Sequence, residues 1–357
     1  MKVPYTELQI TEIRNETRDT KTFMLHEVSS PPLKYKAGQF ITLVFPGKIN
    51  EERRSYSISA TPLLNEPLTI TVKRIDNGAF SRYLFDNCKV GSALFTIGAA
   101  GFFTLPEAPD AFSSFVFFAA GSGITPVLPL IKTLLYSVPQ LQVYLVYSNH
   151  SPEQTIFLNN VKELKAQFGN RFHLEMLFSN SPNLLKARLS KFLLAEYIHE
   201  WFPETKNTTQ FYLCGPHDYM QMITITLLRE GVPSDHIRKE IFDTVKPPVR
   251  ELPPDQEEHR VVIYDDGQEH SFHVQFPETI LSAAKKLAIV LPYSCEAGKC
   301  GTCAVTCLKG KVWMSNNEVL LDKELAKGRI LTCTGYPVGG DLLLAVRRPE
   351  QEPEKVK

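Results

Sequence analysis

Ser294 to Cys303 reads SCEAGKCGTC, and its spacing decides how the C-terminal third of the chain must fold. Cys295, Cys300 and Cys303 stand as C-x4-C-x2-C, and Cys333 follows after 29 further residues. This is the plant-type spacing for a [2Fe–2S] cluster. Four thiolates have to reach two irons, so a tight loop supplies three and a distant segment closes the set. The small residues and glycines of the loop let backbone N–H groups approach the sulfurs. Zinc sites typically pair C-x2-C with a second C-x2-C or an H-x3-H, which is not the pattern here. Cys307, four residues past Cys303 in an apparent strand, reads as a packed core thiol, and Cys88 as structural.

Around this loop, RVVIYDD (260–266) and HSFHVQF (270–276) predict a hairpin and TILSAAKKLAI (279–289) a helix. Just upstream, TVKPPVRELPPDQEE (244–258) has two Pro-Pro pairs, several charges and little to bury, which predicts a semi-rigid linker. Before the linker, strands and helices alternate. FVFFAA (115–120) is an apolar run suited to a strand buried on both faces. A glycine turn, the helical PVLPLIKTLLYSV (126–138) and the strand LQVYLVYS (141–148) follow. Next come the helix TIFLNNVKELKAQFG (155–169), the strand FHLEMLFS (172–179), a helix over 189–199 and the strand FYLCGP (211–216). That order predicts a doubly wound parallel sheet. The first hundred residues carry short β-rich runs, QFITLVF (39–45), SYSISA (55–60) and LTITVKRI (68–75), expected of a sandwich or small barrel.

The chain has 357 residues, enough for two or three domains. Its 39 basic and 39 acidic side chains cancel, which removes the case for a general nucleic-acid or membrane-surface binder. Seven cysteines, four of them between Cys295 and Cys307, suit metal binding in a reducing compartment better than a disulfide framework. The opening MKVPYTELQI lacks an apolar signal core, so a cytoplasmic location is expected. Phe112 to Ile131 is long enough to span a bilayer, but Gly121, Ser122, Gly123, Pro126 and Pro129 interrupt it. It reads as buried strand, turn and helix, with no transmembrane segment.

Three further constellations carry chemistry. RRSYSIS (53–59) offers a guanidinium, an aromatic face and hydroxyls on one strand, with Arg54 and Tyr56 on one side and Ser55 and Ser57 on the other. NGAFSRYLF (77–85) puts Gly78, Ala79 and Ser81 at a helix start that can take a phosphate, or that Ser81 simply caps. AAGSGITP (119–126) opens the first helix of the α/β region as G-x-G-x-x-P, without the third glycine of the usual dinucleotide fingerprint. Cys214, Gly215 and Pro216 end the last strand at the ligand-binding edge of the same sheet.

Taken in this order, the motifs resemble the ferredoxin–NADP⁺ reductase superfamily. The resemblance is to the branch of oxygenase reductases with a C-terminal plant-type ferredoxin domain, phenylacetyl-CoA epoxidase reductases among them. It spans about Tyr5 to Val346 and implies an antiparallel β-barrel flavin domain over 1–107 and an α/β nucleotide domain over 108–243. After the linker at 244–258 it implies an α+β β-grasp ferredoxin domain over 259–357. It further implies that Arg54 binds the flavin phosphates, Tyr56 packs on the isoalloxazine and Ser57 reaches flavin N5. Gly78, Ala79 and Ser81 would hold the pyrophosphate of FAD, and Ser55, Thr71 and Lys73 belong to the same expected surface. Gly121, Gly123, Thr125, Pro126, Ser148, Asn149, His150, Gly215 and Pro216 would line the nicotinamide dinucleotide. Cys214 would stand beside nicotinamide C4, with Glu240 and Phe242 near the flavin ring.

Two departures stand out. The turn Gly98-Ala99-Ala100-Gly101-Phe102 has Ala99 where the family carries proline. His150 replaces an arginine usual in NADPH-using relatives, and a neutral imidazole favours a 2′-phosphate far less than a permanent cation. Lys186 and Arg188 are the cations left for that role, so NADH and NADPH both stay open.

The resemblance implies a flow from NAD(P)H through FAD to the [2Fe–2S] cluster and on to a partner oxygenase. A flavin exchanges two electrons or one, and so converts a hydride into single electrons for a cluster. The alternatives are an FMN-containing dioxygenase-type reductase, a reductase serving a fatty-acid desaturase, and a non-enzymatic scaffold. No 2-His-1-carboxylate pattern or carboxylate-rich bundle suggests a terminal oxygenase. From His259 to Lys357 there are 12 acidic and 13 basic residues, so the expected redox-partner surface is of mixed charge.

Overall fold

A computed structural model describes residues 5–28, 32–45, 52–202, 206–243, 245–249, 251–265 and 267–346. Thr244 and Arg250 of the proline-rich segment, and the charged tail from Arg347, lie outside the described residues. The chain divides into two compact units, Tyr5–Phe242 and a second built from Asp243–Lys357.

The first unit begins with six antiparallel strands: β1 (Thr6–Thr17), β2 (Thr20–Glu27), β3 (Phe40–Phe45), β4 (Glu52–Ser57), β5 (Thr69–Lys73) and β6 (Ala93–Ala100). Their order is β4-β3-β6-β1-β2-β5. A bridge between Ile58 and Ile70 joins the two outer strands and closes the sheet into a barrel, which removes its edges. Alternation sends Leu8, Ile10, Phe23, Leu25, Ile41 and Leu43 into one core. Helix α1 (Ala79–Asn87) packs Leu84 onto the same core.

Five parallel strands follow: β7 (Ser114–Ala120), β8 (Gln142–Asn149), β9 (Phe172–Phe178), β10 (Thr209–Cys214) and β11 (Ile237–Glu240). Between them run α2 (Ile124–Ser137), α3 (Leu158–Phe168), α4 (Lys191–Trp201) and α5 (His217–Arg229). The order β11-β10-β7-β8-β9 reverses direction between β7 and β10, and the crevice at that switch point is where ligands bind in such sheets. The stretch that mimics a membrane span is β7, a 3-10 turn at Gly121–Gly123, and α2. No helix among the described residues is long and apolar enough to cross a membrane.

Barrel and α/β layer share apolar contact. Ala37 and Phe103 are buried in the cluster formed by α2, α3 and one face of the parallel sheet. Phe103 meets Tyr212 edge-on, with ring centres 5.2 Å apart, and the Tyr212 hydroxyl donates to the Thr104 carbonyl at 2.9 Å.

In the second unit, β12 (His259–Asp265), β13 (Gln268–Val274), β14 (Ala304–Met314), β15 (Arg329–Leu331) and β16 (Gly335–Val346) form a mixed sheet in the order β13-β12-β16-β14-β15. Helix α6 (Ile280–Lys286) starts at a reciprocal cap between Thr279 and Ser282 and buries Ile280, Leu281, Ala283 and Ala284. The short α7 (Asp322–Ala326) precedes β15. Cys307 differs from its expected core position. The ladder of β14 shifts register between Cys307 and Lys309, so the half-buried thiol points to the Lys309 and Gly310 carbonyls.

Because Phe103 fills a core common to barrel and parallel sheet, Phe103→Ala is expected to cost about 3–4 kcal/mol. Scanning calorimetry should show the whole first-unit transition moving down together. A shift confined to one part of it would mean that the two layers are energetically independent.

Candidate cofactor and redox site

The switch point is built from two strand ends that nearly touch. A Cβ placed on Gly123 would lie 2.0 Å from the Cys214 carbonyl oxygen, so only glycine lets the turn after β7 pack on the end of β10. No side chain caps the start of α2 there; the Ile124 N–H turns back to the Gly121 and Ser122 carbonyls, and the positive dipole end of the helix still favours an anion at the turn. Thr125, by contrast, is buried and donates its hydroxyl to the Ser122 carbonyl at 2.9 Å, bracing the turn, and Pro126 is buried behind it. Two tyrosines outside the sequence motifs support the site. The Tyr147 hydroxyl lies 3.1 Å from the carbonyl oxygens of both Gly121 and Ile156. The Tyr219 hydroxyl donates to the Ala119 carbonyl at 3.4 Å and stands 3.5 Å from Ser148 Oγ. An aromatic residue in a helical or strand pattern gives no signal of such a role.

Cys214 pairs in register with Ala119 on one side and Glu240 on the other. The thiol is wholly buried, and burial pushes it well above the ordinary cysteine range, with the Glu240 carboxyl adding to the effect. Glu240 keeps a little accessible surface but is hemmed in by protein, and burial pushes its carboxyl up to about 8. Both shifts favour the uncharged form. Phe242, two residues on, is 46% exposed.

Farther along the crevice, the Asn149 amide is buried, and its side chain reaches the hydroxyl of Tyr147. His150 is exposed, and its Nδ1 lies 3.0 Å from Ser179 Oγ. Lys186 and Arg188 are exposed on the connection between β9 and α4. Gly215 and Pro216 lead into α5, and Pro216 occupies its N-cap position.

On the barrel, β4 shows the expected alternation. Arg54 and Tyr56 pair with Leu43 and Ile41, whereas Ser55 and Ser57 pair with Thr42 and Phe40. The Arg54 guanidinium lies 4.4 Å from the ring centre of Phe80, in the first turn of α1. Gly78 is the N-cap of that helix and brings no side-chain cap. A cation and an uncapped helix start thus flank Ala79. Ser81 already serves the turn, accepting from the Ile75 N–H and donating to the Gly78 carbonyl at 3.1 Å. The Tyr56 phenol is raised by burial, against the pull of Arg54.

Ser55 Oγ lies 3.0 Å from Thr42 Oγ1, whereas the Ser57 hydroxyl is buried with no partner. Leaving a hydroxyl dry and unbonded costs about 1–3 kcal/mol, which a ligand with a polar edge would recover. Thr71 has partners within the protein, in a hydroxyl chain with Thr22 at 2.8 Å and Ser59 at 2.9 Å. Lys73 pairs with Asp19 at 3.6 Å.

In the second unit the four predicted ligands form two thiol pairs, Cys295 with Cys300 and Cys303 with Cys333. Within each pair one sulfur is stabilised as a thiolate by its partner's S–H. Cys295 is brought down to about 6 by Cys300, with the N–H groups of Ala297, Lys299 and Cys300 helping. Cys333 is lowered by Cys303. Among the described residues no three His, Cys, Asp or Glu side chains gather round one point. Four thiols with backbone N–H groups turned towards Cys295 suit the donor set of a [2Fe–2S] cluster.

Gly298 shapes this loop. It has φ +73°, and a Cβ there would meet the Asn316 carbonyl at 2.6 Å. Asn316 Nδ2 donates to the Ala297 carbonyl at 2.8 Å from the other side. Lys299, only 10% exposed, donates to Asp243 Oδ2 and to the Val245 carbonyl, each at 3.0 Å. At the far end of the proline-rich segment Asp255 accepts from His259 at 2.7 Å and from the Gly339 N–H at 2.6 Å.

Three family models match consecutive parts of the chain. An oxidoreductase FAD-binding domain covers residues 7–105, an oxidoreductase NAD-binding domain 117–224, and a 2Fe-2S iron-sulfur cluster binding domain 263–338. One of the subunits of the Escherichia coli K12 1,2-phenylacetyl-CoA epoxidase is 30% identical over 344 residues, which is 94% of this chain and 96% of that one. This chain belongs to the flavin- and iron–sulfur-dependent reductases of the ferredoxin–NADP⁺ reductase superfamily. The ferredoxin reductase component of the Rhodococcus rhodochrous 3-ketosteroid-9-alpha-monooxygenase is also 30% identical, over 93% of this chain and 94% of its own. The solved phthalate dioxygenase reductase is 25% identical with a TM-score of 0.59, over 96% of this chain and 98% of that one.

The reductase uses FAD, a [2Fe–2S] cluster and a pyridine nucleotide, and its residues fit them. The buried Ser57 hydroxyl has no partner within the protein, and four cysteines stand in the plant-type order that such a cluster requires.

The folded Glu240 carboxyl keeps its proton to about pH 8, whereas an ordinary one releases it near 4.5. Between those values the unfolded chain binds fewer protons, so this group makes the reductase less stable as pH rises. Glu240→Gln should therefore gain melting temperature relative to wild type at pH 8 and not at pH 4.5. Parallel curves would mean that the carboxyl ionises normally in the fold.

Proposed function

We propose that this reductase oxidises NAD(P)H at the switch point, passes the electrons through FAD to its [2Fe–2S] cluster, and delivers them to the oxygenase component of a two-part monooxygenase or dioxygenase. The observation that carries the reading is the unbonded Ser57 hydroxyl on one layer and the Gly123–Cys214 junction on the other, within a single compact unit. The names of the relatives support an oxygenase as acceptor, since they include components of an epoxidase and a monooxygenase.

When bound, FAD supplies the conversion between hydride and single electrons. Arg54, with the backbone at Gly78 and Ala79, would hold the flavin diphosphate, and Ser81 keeps that turn in shape. Ser57 would give its hydroxyl to the flavin edge, and Tyr56 would support the ring. The turn at Gly121–Gly123 would hold the dinucleotide phosphates, Asn149 would bond its adenosine half, and Cys214 would border the nicotinamide. The neutral thiol and carboxyl at Cys214 and Glu240 keep charge and water away from the reacting carbon. Cys295, Cys300, Cys303 and Cys333 would ligate the cluster.

An anaerobic spectrum before and after one equivalent of NADH or NADPH tests the whole chain of transfer. Flavin and cluster bands should both bleach. Cys333→Ser should lose the cluster bands while its flavin still reduces ferricyanide at the expense of NAD(P)H. A colourless protein containing zinc would end the reading.

The donor turns on the end of β8. A guanidinium in place of His150 would add a charge-assisted phosphate contact worth about 1.5–3 kcal/mol. His150→Arg is thus expected to raise kcat/KM for NADPH relative to NADH by about tenfold or more. An unchanged ratio would place 2′-phosphate recognition elsewhere, with Lys186 and Arg188 next to be replaced.

A further inference from the structure

We propose that Glu66 and Lys132, together with Thr61 and Thr133, form a clasp that fixes the flavin strand against the nicotinamide turn and makes these four positioning residues for hydride transfer. The inference rests on the NAD(P)H-to-FAD reading above. It concerns residues that the cofactor motifs do not include.

Beyond the end of β4 at Ser57 the chain runs through the bridging Ile58, Ser59 and a bend at Ala60 to Thr61, all buried. The helix that starts at the glycine turn carries Lys132 and Thr133 nine and ten residues on, about 14 Å along its axis. Between this segment and the helix the contacts are specific. The Thr61 N–H donates to Glu66 Oε2 at 2.8 Å, and Glu66 Oε1 accepts from Lys132 Nζ at 2.6 Å. One carboxylate therefore joins barrel to helix with both oxygens in use. Beside it, Thr61 Oγ1 and Thr133 Oγ1 are 2.8 Å apart. Thr133 spends its own proton on the Pro129 carbonyl at 2.7 Å, which leaves Thr61 as the donor.

Burial makes the pair more than a surface decoration. The Lys132 and Glu66 side chains are 16% and 26% exposed, so solvent screens them less than an open ion pair. Location gives it a purpose. Pro129 lies inside α2 and removes a backbone hydrogen bond at mid-helix, the place where a helix kinks. The clasp grips α2 just beyond that weak point, and Gly123 is wedged on the Cys214 carbonyl before it. Held at both ends, the helix cannot rock about Pro129 and carry Gly121 and Gly123 away from Ser57. Misplacing reacting groups by about 1 Å through a remote change can cost up to about a hundredfold in rate.

The test uses the FAD- and cluster-loaded protein and compares wild type with Lys132→Met, Thr133→Val and Lys132→Arg. Lys132→Met keeps the apolar stem, and Thr133→Val carries the test alone should the first not fold. Three quantities are read: flavin reduction by NAD(P)H in stopped flow, the long-wavelength charge-transfer band formed with oxidised nucleotide, and hydrogen–deuterium exchange over 124–137. For the first two variants we expect unchanged flavin content, reduction slowed about tenfold, a weakened charge-transfer band and faster exchange beyond Pro129. Lys132→Arg should recover most of all three. Lower melting temperatures with wild-type reduction rate and charge-transfer band would make the contacts structural only and overturn the proposal. Unchanged exchange in both variants would overturn it as well, whatever the kinetics. Failure of the wild-type flavin to be reduced by either nucleotide would instead sink the reductase reading, and exchange alone would then decide whether the clasp exists.

Discussion

The first unit depends on one close approach. Gly123 touches the end of β10 with no room for a methyl group, and that contact brings together everything the crevice needs. It sets the start of α2 beside Cys214, and the register of β10 and β11 sets Glu240 beside Cys214 in turn. Tyr147 and Tyr219 then tie the surrounding carbonyls, so buried backbone groups in an irregular segment do not go unpaired. The crevice is thus a packing solution first and a binding site second.

Polar groups without partners tell the complementary story. Inside a fold an unbonded hydroxyl is a cost, and most hydroxyls of this barrel avoid it. Thr22, Thr71 and Ser59 satisfy one another, Ser55 finds Thr42, and Ser81 closes its own turn. Ser57 does not, although it stands among them on the same strand. Neighbouring hydroxyls of similar chemistry therefore divide into those that hold the wall and one without a partner, the one that the proposed flavin contact would use.

The parts legible in the sequence were those whose cause is local. The C-x4-C-x2-C spacing names its metal centre because a loop of fixed length must reach fixed atoms. The apolar run of β7 and the glycine turn name a buried parallel strand for the same kind of reason. Alternation on β4 likewise separates Arg54 and Tyr56 from Ser55 and Ser57. What escaped was set by tertiary partners. The long β1–β2 hairpin carries many exposed polar residues and gives no clean period, and α5 has the composition of any amphipathic helix. Tyr147, Tyr219, Asn316 and the pair Glu66–Lys132 are ordinary residues until distant segments meet them. Thr125 and Ser81 show the converse, since their motifs suggest ligand contacts but their hydroxyls brace turns.

The iron–sulfur unit solves a different problem, how to present a cluster loop without a strong field of either sign. Its acidic and basic residues nearly balance in number, and the arrangement is finer than the count. Lys285 pairs with Glu296 at 3.0 Å, and Lys299 is taken up by Asp243 and the Val245 carbonyl. The charges on and beside SCEAGKCGTC are thereby answered within the unit itself. A surface neutralised this way offers a partner little long-range steering. Recognition of the proposed redox partner would then rest on shape and short-range contacts, whose strength salt screens only weakly. The same pairing holds the Lys299 side chain in place while its backbone N–H serves Cys295, so this charge in the loop is fixed rather than free to follow the solvent. A reductase that has to discharge single electrons reproducibly gains from that constancy, because a cluster's potential depends on the charges and hydrogen bonds around its sulfurs.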